Sequence, residues 1–263
     1  MKMIITGAGS GIGRSVARLA AQSEGEAAEL FLVDRDQAGL DAAAREVAAL
    51  GGRAVPFVAD LSKPEGCTDS IGAAEAALGG LDSLVSNAGI VRNGPLKDLD
   101  VETFDLLFHI NTRPTWLLGK AAYPLLKASG GSIVATASIA GEHATPPLAT
   151  YSASKAALIM LVKQMALEWG PDGIRCNCVS PGPTYTGITQ GAFNDASDPA
   201  QLLNRQRREA AVPLRKLGHP DEVAEAILFL AGSKASQITG INLTVDGGLT
   251  AALMPNTGSG QGH

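Results

Sequence analysis

Short aliphatic runs alternate with alanine-rich stretches of helical period along almost the whole chain. The runs at 2–6, 29–34, 53–59, 81–86, 131–137, 173–179 and 241–245 are continuous rather than alternating in polarity. That is the pattern of strands covered on both faces of a parallel sheet. Between them, the periodicity predicts helices over 11–23, 36–50, 63–78, 97–128, 149–169 and 220–232. Pro114, with Asn111 just before it, predicts that the fourth helix bends or divides, because proline removes a helical donor and crowds the preceding turn. Strand–helix alternation without a repeat or linker predicts one doubly wound α/β domain over 1–253. Two segments fall outside the rhythm. Residues 181–215, rich in proline and glycine, follow a strand's carboxyl end, the edge where open α/β sheets bind ligands, and are expected to form a substrate-binding loop or lid. Residues 254–263 are expected to be a flexible tail.

Composition narrows the classes. With 45% hydrophobic and 18% charged residues the chain can bury a large core. A net charge of −5, with no long block of one sign, argues against nucleic acid or an acidic membrane as partner. No apolar stretch reaches the roughly eighteen residues of a membrane span. Met1–Thr6 runs directly into a strand and leaves no room for a signal peptide, so a soluble cytoplasmic protein is expected. Cys67, Cys176 and Cys178 are too few and too poorly spaced for a disulfide framework. Cys176 and Cys178 fall on one face of a strand without histidine or cysteine partners nearby in sequence, which reads as packed thiols rather than a metal pair.

The first strand opens into Thr6-Gly7-Ala8-Gly9-Ser10-Gly11-Ile12-Gly13 and then an apolar-periodic helix. Glycines there permit a tight turn and let backbone N–H groups and the helix start approach a pyrophosphate. The spacing departs from G-x-G-x-x-G, since Ile12 stands where the last glycine would fall. The second strand ends in Asp34, placed to accept from a ribose 2′-hydroxyl and to repel a 2′-phosphate, which favours NAD over NADP. Arg35 opposes that reading, because a guanidinium can hold the extra phosphate. Asp60 closes the third strand and Ser86-Asn87-Ala88-Gly89 the fourth, on the edge where adenine and ribose would lie.

Tyr151 and Lys155 stand four residues apart, one helical turn on one face, with Ser138 upstream at the end of the fifth strand. A phenol titrates near ~10, so proton transfer at neutral pH calls for a nearby cation, which Lys155 can supply. Ser138 would hold a substrate oxygen, and Asn111 would anchor a water passing the proton to solvent.

On these residues the chain resembles the short-chain dehydrogenase/reductase family from Thr6 to about Gly248. The resemblance is carried by Thr6-Gly7-x-x-x-Gly11-x-Gly13, by Asn87-Ala88-Gly89 with Ser86 where asparagine is commoner, and by Asn111, Ser138, Tyr151 and Lys155 in order. Pro181-Gly182 and Val245-Asp246-Gly247-Gly248 extend it. It implies a Rossmann-like fold with seven parallel strands, and a homotetramer or homodimer formed through the helices at about 97–128 and 149–169. It also implies hydride exchange between nicotinamide and a carbonyl–alcohol pair. The cofactor set it implies comprises Gly7, Ser10, Gly11, Ile12, Gly13, Asp34, Arg35, Asp60, Leu61, Asn87, Ala88, Gly89, Tyr151, Lys155, Pro181, Gly182 and Thr184. Substrate would meet Ser138, Ala140, Gly141, His143, Tyr151, Pro183, Thr184 and Tyr185, with His143 reaching a second substrate oxygen. Ile188, Phe193, Leu202 and Leu203 in the lid suggest a hydrophobic or cyclic secondary alcohol, oxidised with NAD. Two other readings stay open: an NADPH-dependent 3-oxoacyl carrier-protein reductase and a catalytically silent dinucleotide-binding sensor.

Overall fold

In the computed structural model, which describes residues 1–251, the strands assemble into one parallel seven-stranded sheet. They are β1 (Lys2–Thr6), β2 (Glu29–Asp34), β3 (Arg53–Val58), β4 (Ser83–Ser86), β5 (Ser132–Thr136), β6 (Arg175–Pro181) and β7 (Asn242–Val245). Their order is β3-β2-β1-β4-β5-β6-β7, so the winding reverses between β1 and β4 and opens a crevice at the carboxyl ends of those strands. The expected tail, 254–263, lies outside the described residues.

Two apolar layers hold the sheet. Successive strand residues point to opposite faces, and every residue from Met3 to Ile5 is fully buried. Met3 and Ile5 meet α1 (Gly11–Glu24), α2 (Gln37–Ala49) and α9 (Pro220–Ala231). Ile4 meets α3 (Pro64–Leu78), α5 (Arg113–Ser129) and α6 (Tyr151–Trp169). Each large side chain buried this way contributes about 1.5–3 kcal/mol, which is why the strands read as unbroken apolar runs. The edges deviate: β3 and β7 are partly open to solvent, and β3 tolerates Pro56 because an edge strand can spare its N–H. Cys176 and Cys178 do face one side, into the same core as Cys67, and burial pushes both thiols up to about 12.

The predicted helix 97–128 divides as expected, into α4 (Val101–Asn111) and α5, with Pro114 in the first turn of α5. β6 outruns the predicted strand and extends to Pro181, because Pro181 pairs with Val245 and the Gly182 N–H donates to the Val245 carbonyl at 2.9 Å. The insertion expected as loop or lid contains α7 (Gln190–Phe193) and α8 (Pro199–Ala211). Its two ends are clamped together: Tyr185 N–H donates to Gly218 O at 3.0 Å, and Gly218 N–H to Pro183 O at 2.8 Å.

Gly13 fixes the entry of α1 against the glycine turn. A Cβ there would lie 2.2 Å from the Gly7 carbonyl oxygen, a backbone atom that cannot yield. Gly13→Ala is therefore expected to destabilise the fold by about 3 kcal/mol, at the upper end for overpacking. Urea denaturation of the purified variant checks this; a loss under about 1 kcal/mol would show that the turn can shift.

Candidate active site

The β1/β4 crevice continues under the 184–211 segment as one cavity of about 910 Å³, towards the upper end for small-molecule sites. Its floor is built by hydrogen bonds between strand ends. The Asn87 amide donates to Thr6 O at 3.1 Å and its Oδ1 accepts from the Thr136 hydroxyl at 3.0 Å. The Thr6 hydroxyl oxygen accepts from the Asn87 and Ala88 N–H groups at 2.9 and 3.1 Å. One amide side chain thus ties β1, β4 and β5 together at the point where the sheet splits.

The glycine turn borders this floor. Gly7 and Gly11 have φ of 67° and 51°, the left-handed region that glycine enters without strain. At the start of α1, Ser10 makes no side-chain cap bond and the first turn carries no acid. The amides at Ser10, Gly11 and Ile12 border the cavity, an arrangement that fits a dinucleotide's phosphates. Asp34 and Arg35 line the same cavity. Asp34 Oδ2 accepts from Gly9 N–H at 2.9 Å, and Oδ1 from the Arg35 and Asp36 N–H groups at 2.7 and 3.1 Å. Asp60 is held by the Ser62 backbone and hydroxyl, which keep its carboxyl below the usual range.

At the other end, Ser138 caps a short turn by accepting from Ala140 N–H at 3.1 Å, and its hydroxyl also bonds the Tyr151 phenol. Burial raises the Tyr151 pKa, and the Ser138 bond works the other way. Lys155 is only 4% exposed; its Nζ donates to Thr136 O at 2.8 Å and stands 5.8 Å from the centre of the Tyr151 ring. Burial lowers its pKa from 10.5 to about 8. Lys155 therefore stands beside the Tyr151 ring with its ammonium bonded to Thr136 O.

Most of the expected site residues reach this cavity: Gly7, Ser10, Gly11, Ile12, Asp34, Arg35, Asp60, Leu61, Asn87, Ala88, Gly89, Ser138, Ala140, Tyr151, Lys155, Pro181, Gly182, Pro183 and Thr184. Five do not line it. Gly13 packs behind the turn, and Gly141 packs against the α6 backbone at Lys155. The Asn111 side chain is buried and turned into the protein, donating both amide hydrogens, to Ile90 O and Ser154 Oγ, and accepting from Ile90 N–H. His143 is exposed outside the cavity. Tyr185 turns into the lid, where its ring packs edge-on to Phe193, its hydroxyl reaches Glu209 at 3.4 Å and Arg205 stacks over its ring. Of the expected apolar lid residues, Ile188 and Phe193 line the cavity, whereas Leu202 and Leu203 lie on the open side of α8. Sequence reasoning missed Ile90, Val91, the 145–148 loop and the α8 residues Gln201, Asn204 and Arg208. The last three follow helical spacing after Asp198-Pro199, a start signal readable in the sequence. Among the described residues no cluster of three or more His, Cys, Asp or Glu could hold a metal, and no helix is long and apolar enough to cross a membrane.

Comparisons with known proteins find dehydrogenases and reductases over nearly the whole chain. Residues 7–250 match a family model described as enoyl-(acyl carrier protein) reductase. The chain is 37% identical over 249 residues to 2-(S)-hydroxypropyl-CoM dehydrogenase 3 of Xanthobacter autotrophicus, covering 94% of this chain and 95% of that one. It is 36% identical to L-rhamnose 1-dehydrogenase (NAD(P)(+)) of Azotobacter vinelandii, covering 95% and 97%. The crystal structure of levodione reductase superposes with a TM-score of 0.88 at 29% identity, covering 95% of this chain and 97% of the other.

Lys155 also leaves a signature in stability. The unfolded lysine titrates near 10.5 and the folded one near 8, so between these values the unfolded state holds the extra proton and stability rises with pH. A Lys155→Met variant lacks this titration. Its melting temperature minus that of the wild type should be flat below about pH 7 and fall from about pH 8 to about pH 10. A difference independent of pH in thermal melts would show that Lys155 keeps its ordinary pKa.

Proposed function

The chain belongs to the short-chain dehydrogenase/reductase family, and we propose that it is an NAD-dependent oxidoreductase interconverting a secondary alcohol and its ketone, with Tyr151 as general acid/base. The observation that carries this reading is the meeting of Ser138, Tyr151 and Lys155 on one cavity with the glycine turn. Bound nicotinamide supplies the hydride acceptor or donor. The residues of the chain manage the proton and the geometry. In alcohol oxidation the Tyr151 oxygen takes the carbinol proton, while Ser138 holds the same oxygen in line. Burial opposes ionisation of Tyr151 and the Ser138 hydroxyl offsets part of it; the Lys155 ammonium, 5.8 Å from the ring centre, adds a charge that favours the phenolate. Asn111 is a positioning residue: it holds Ile90 on the cavity wall and Ser154 beside Lys155.

Asp34, at the end of β2, supports NAD over NADP, with its carboxylate exchanging backbone donors for ribose hydroxyls. Arg35 on the same cavity keeps a second reading in play, an NADPH-dependent carrier-protein reductase. Ala140, Leu148, Ile188 and Phe193 give the substrate an apolar surround, which suits a hydrophobic or cyclic alcohol body. Relatives named as dehydrogenases of hydroxyl-bearing substrates support the reaction class. We place the protein in the cytoplasm as a homotetramer or homodimer; exposed Trp116 on α5 and Met160 and Leu167 on α6 support assembly through those helices.

The test is nicotinamide reduction over a panel of secondary alcohols with NAD and NADP side by side. Tyr151→Phe should lower kcat at least about a hundredfold and leave the cofactor Kd within about threefold. Turnover surviving within about tenfold would remove Tyr151 as the acid/base. Asp34→Ala should move preference towards NADP by about tenfold, worth about 1.4 kcal/mol; no change in the ratio of kcat/KM values would remove Asp34 from the discrimination.

A further inference from the structure

The cavity is lined by three cations, and two have evident places. Lys155 stands at the catalytic end, and Arg35 beside Asp34 at the end of β2. Arg208 is the third, on the lid helix α8. Gln201, Asn204 and Arg208 lie three and four residues apart, so α8 turns one polar stripe towards the cavity, while Leu202 and Leu203 face away.

The stripe is braced. Asn204 Nδ2 donates to Ala192 O at 2.9 Å, which orients its Oδ1 to accept from Arg208 Nε at 3.2 Å. The guanidinium carbon sits 5.4 Å over the ring of Phe193, which is 2% exposed and held edge-on by Tyr185. Among the described residues no carboxylate oxygen forms an ion pair with Arg208. Its neighbour Arg205 is paired with Glu209 at 2.9 Å. The nearby acids are engaged: Glu209 by Arg205 and Tyr185, and Asp198 by the first N–H groups of α8 and the Gln201 amide. A guanidinium held by one nitrogen and one face keeps two N–H-bearing nitrogens for a bidentate partner.

We propose that Arg208, with Gln201 and Asn204, receives an oxyanion, such as a carboxylate, carried by the substrate away from its carbinol carbon. The inference rests on the dehydrogenase reading above and adds to it a charged group beside the apolar surround, over Phe193. The alternative source of an oxyanion is a cofactor phosphate. Those phosphates have their own donors at the start of α1, where Thr186, at the beginning of the lid, already stands over Gly11. Arg208 belongs to the later turns of α8, so the substrate is the better source.

The experiment compares 3-hydroxybutyrate and 4-hydroxypentanoate with their methyl esters, using wild type, Arg208→Met and Arg208→Lys, each saturated with cofactor. The acids should exceed the esters in kcat/KM, and Arg208→Met should lower the acid-to-ester ratio about ten- to a hundredfold, chiefly through KM. Arg208→Lys should retain part of the ratio as a point charge. Esters matching the acids, or a ratio unchanged in Arg208→Met, overturns the inference while Tyr151-dependent turnover of the esters leaves the dehydrogenase standing. A raised cofactor KM with an unchanged ratio also overturns it and assigns Arg208 to a phosphate. If no alcohol turns over, the dehydrogenase reading fails on its own. Calorimetry of the two acids with cofactor-bound wild type and Arg208→Met then decides the oxyanion site: binding weakened about tenfold or more supports it, and equal or absent binding overturns it.

Discussion

The site depends on one side-chain amide. Asn87 sits where the sheet changes direction, and its donor and acceptor ends bond β1 and β5 from a position at the end of β4. Parallel strands diverge at such a point, and their terminal polar groups would otherwise compete for water. Here each is paired within the protein, so the crevice has a rigid floor. Thr136 extends the network: its hydroxyl bonds Asn87 and its carbonyl accepts from the Lys155 ammonium. The glycine turn and α6 are therefore referenced to the same few atoms.

A second constraint is electrostatic. The Tyr151 end of the cavity holds a buried phenol and a buried amine, and burial disfavours the charged form of each. The two shifts run in opposite directions: the amine falls from 10.5 to about 8, while the phenol rises and only the serine hydroxyl restrains it. The lysine still keeps its proton at neutral pH, and a cation beside a phenol favours the phenolate.

Much of this was legible in the chain. Unbroken aliphatic runs announced the parallel sheet, Pro114 announced the division between α4 and α5, and Tyr151 with Lys155 fell on one helical face because their spacing requires it. What escaped had a common cause. Tyr185 and His143 follow strand or turn residues that do line the cavity, but their own directions are set by α8 and the 139–145 turn, which no local spacing specifies. Asn111 stands in sequence as a site residue, yet its bonds to Ile90 and Ser154 link segments far apart in the chain. The end of β6 depended on Val245, a partner more than sixty residues away. Arg208 was hidden because residues 181–215 were read as loop, and only a helix gives 201, 204 and 208 a shared face.

The clamp between Pro183–Tyr185 and Gly218 has an architectural consequence. Because both ends of the lid are fastened to each other at the cavity margin, the sheet experiences the insertion as a closed bight of chain. Its interior has a small aromatic nucleus of its own, Tyr185 against Phe193 with a guanidinium over each ring. Beyond α8 the chain rejoins the body of the fold, where Leu214 N–H donates to Gly247 O and Lys216 pairs with Glu222 on α9. The freedom to vary length and sequence therefore belongs to α7, α8 and their connection, a cassette set above Ser138, Tyr151 and Lys155.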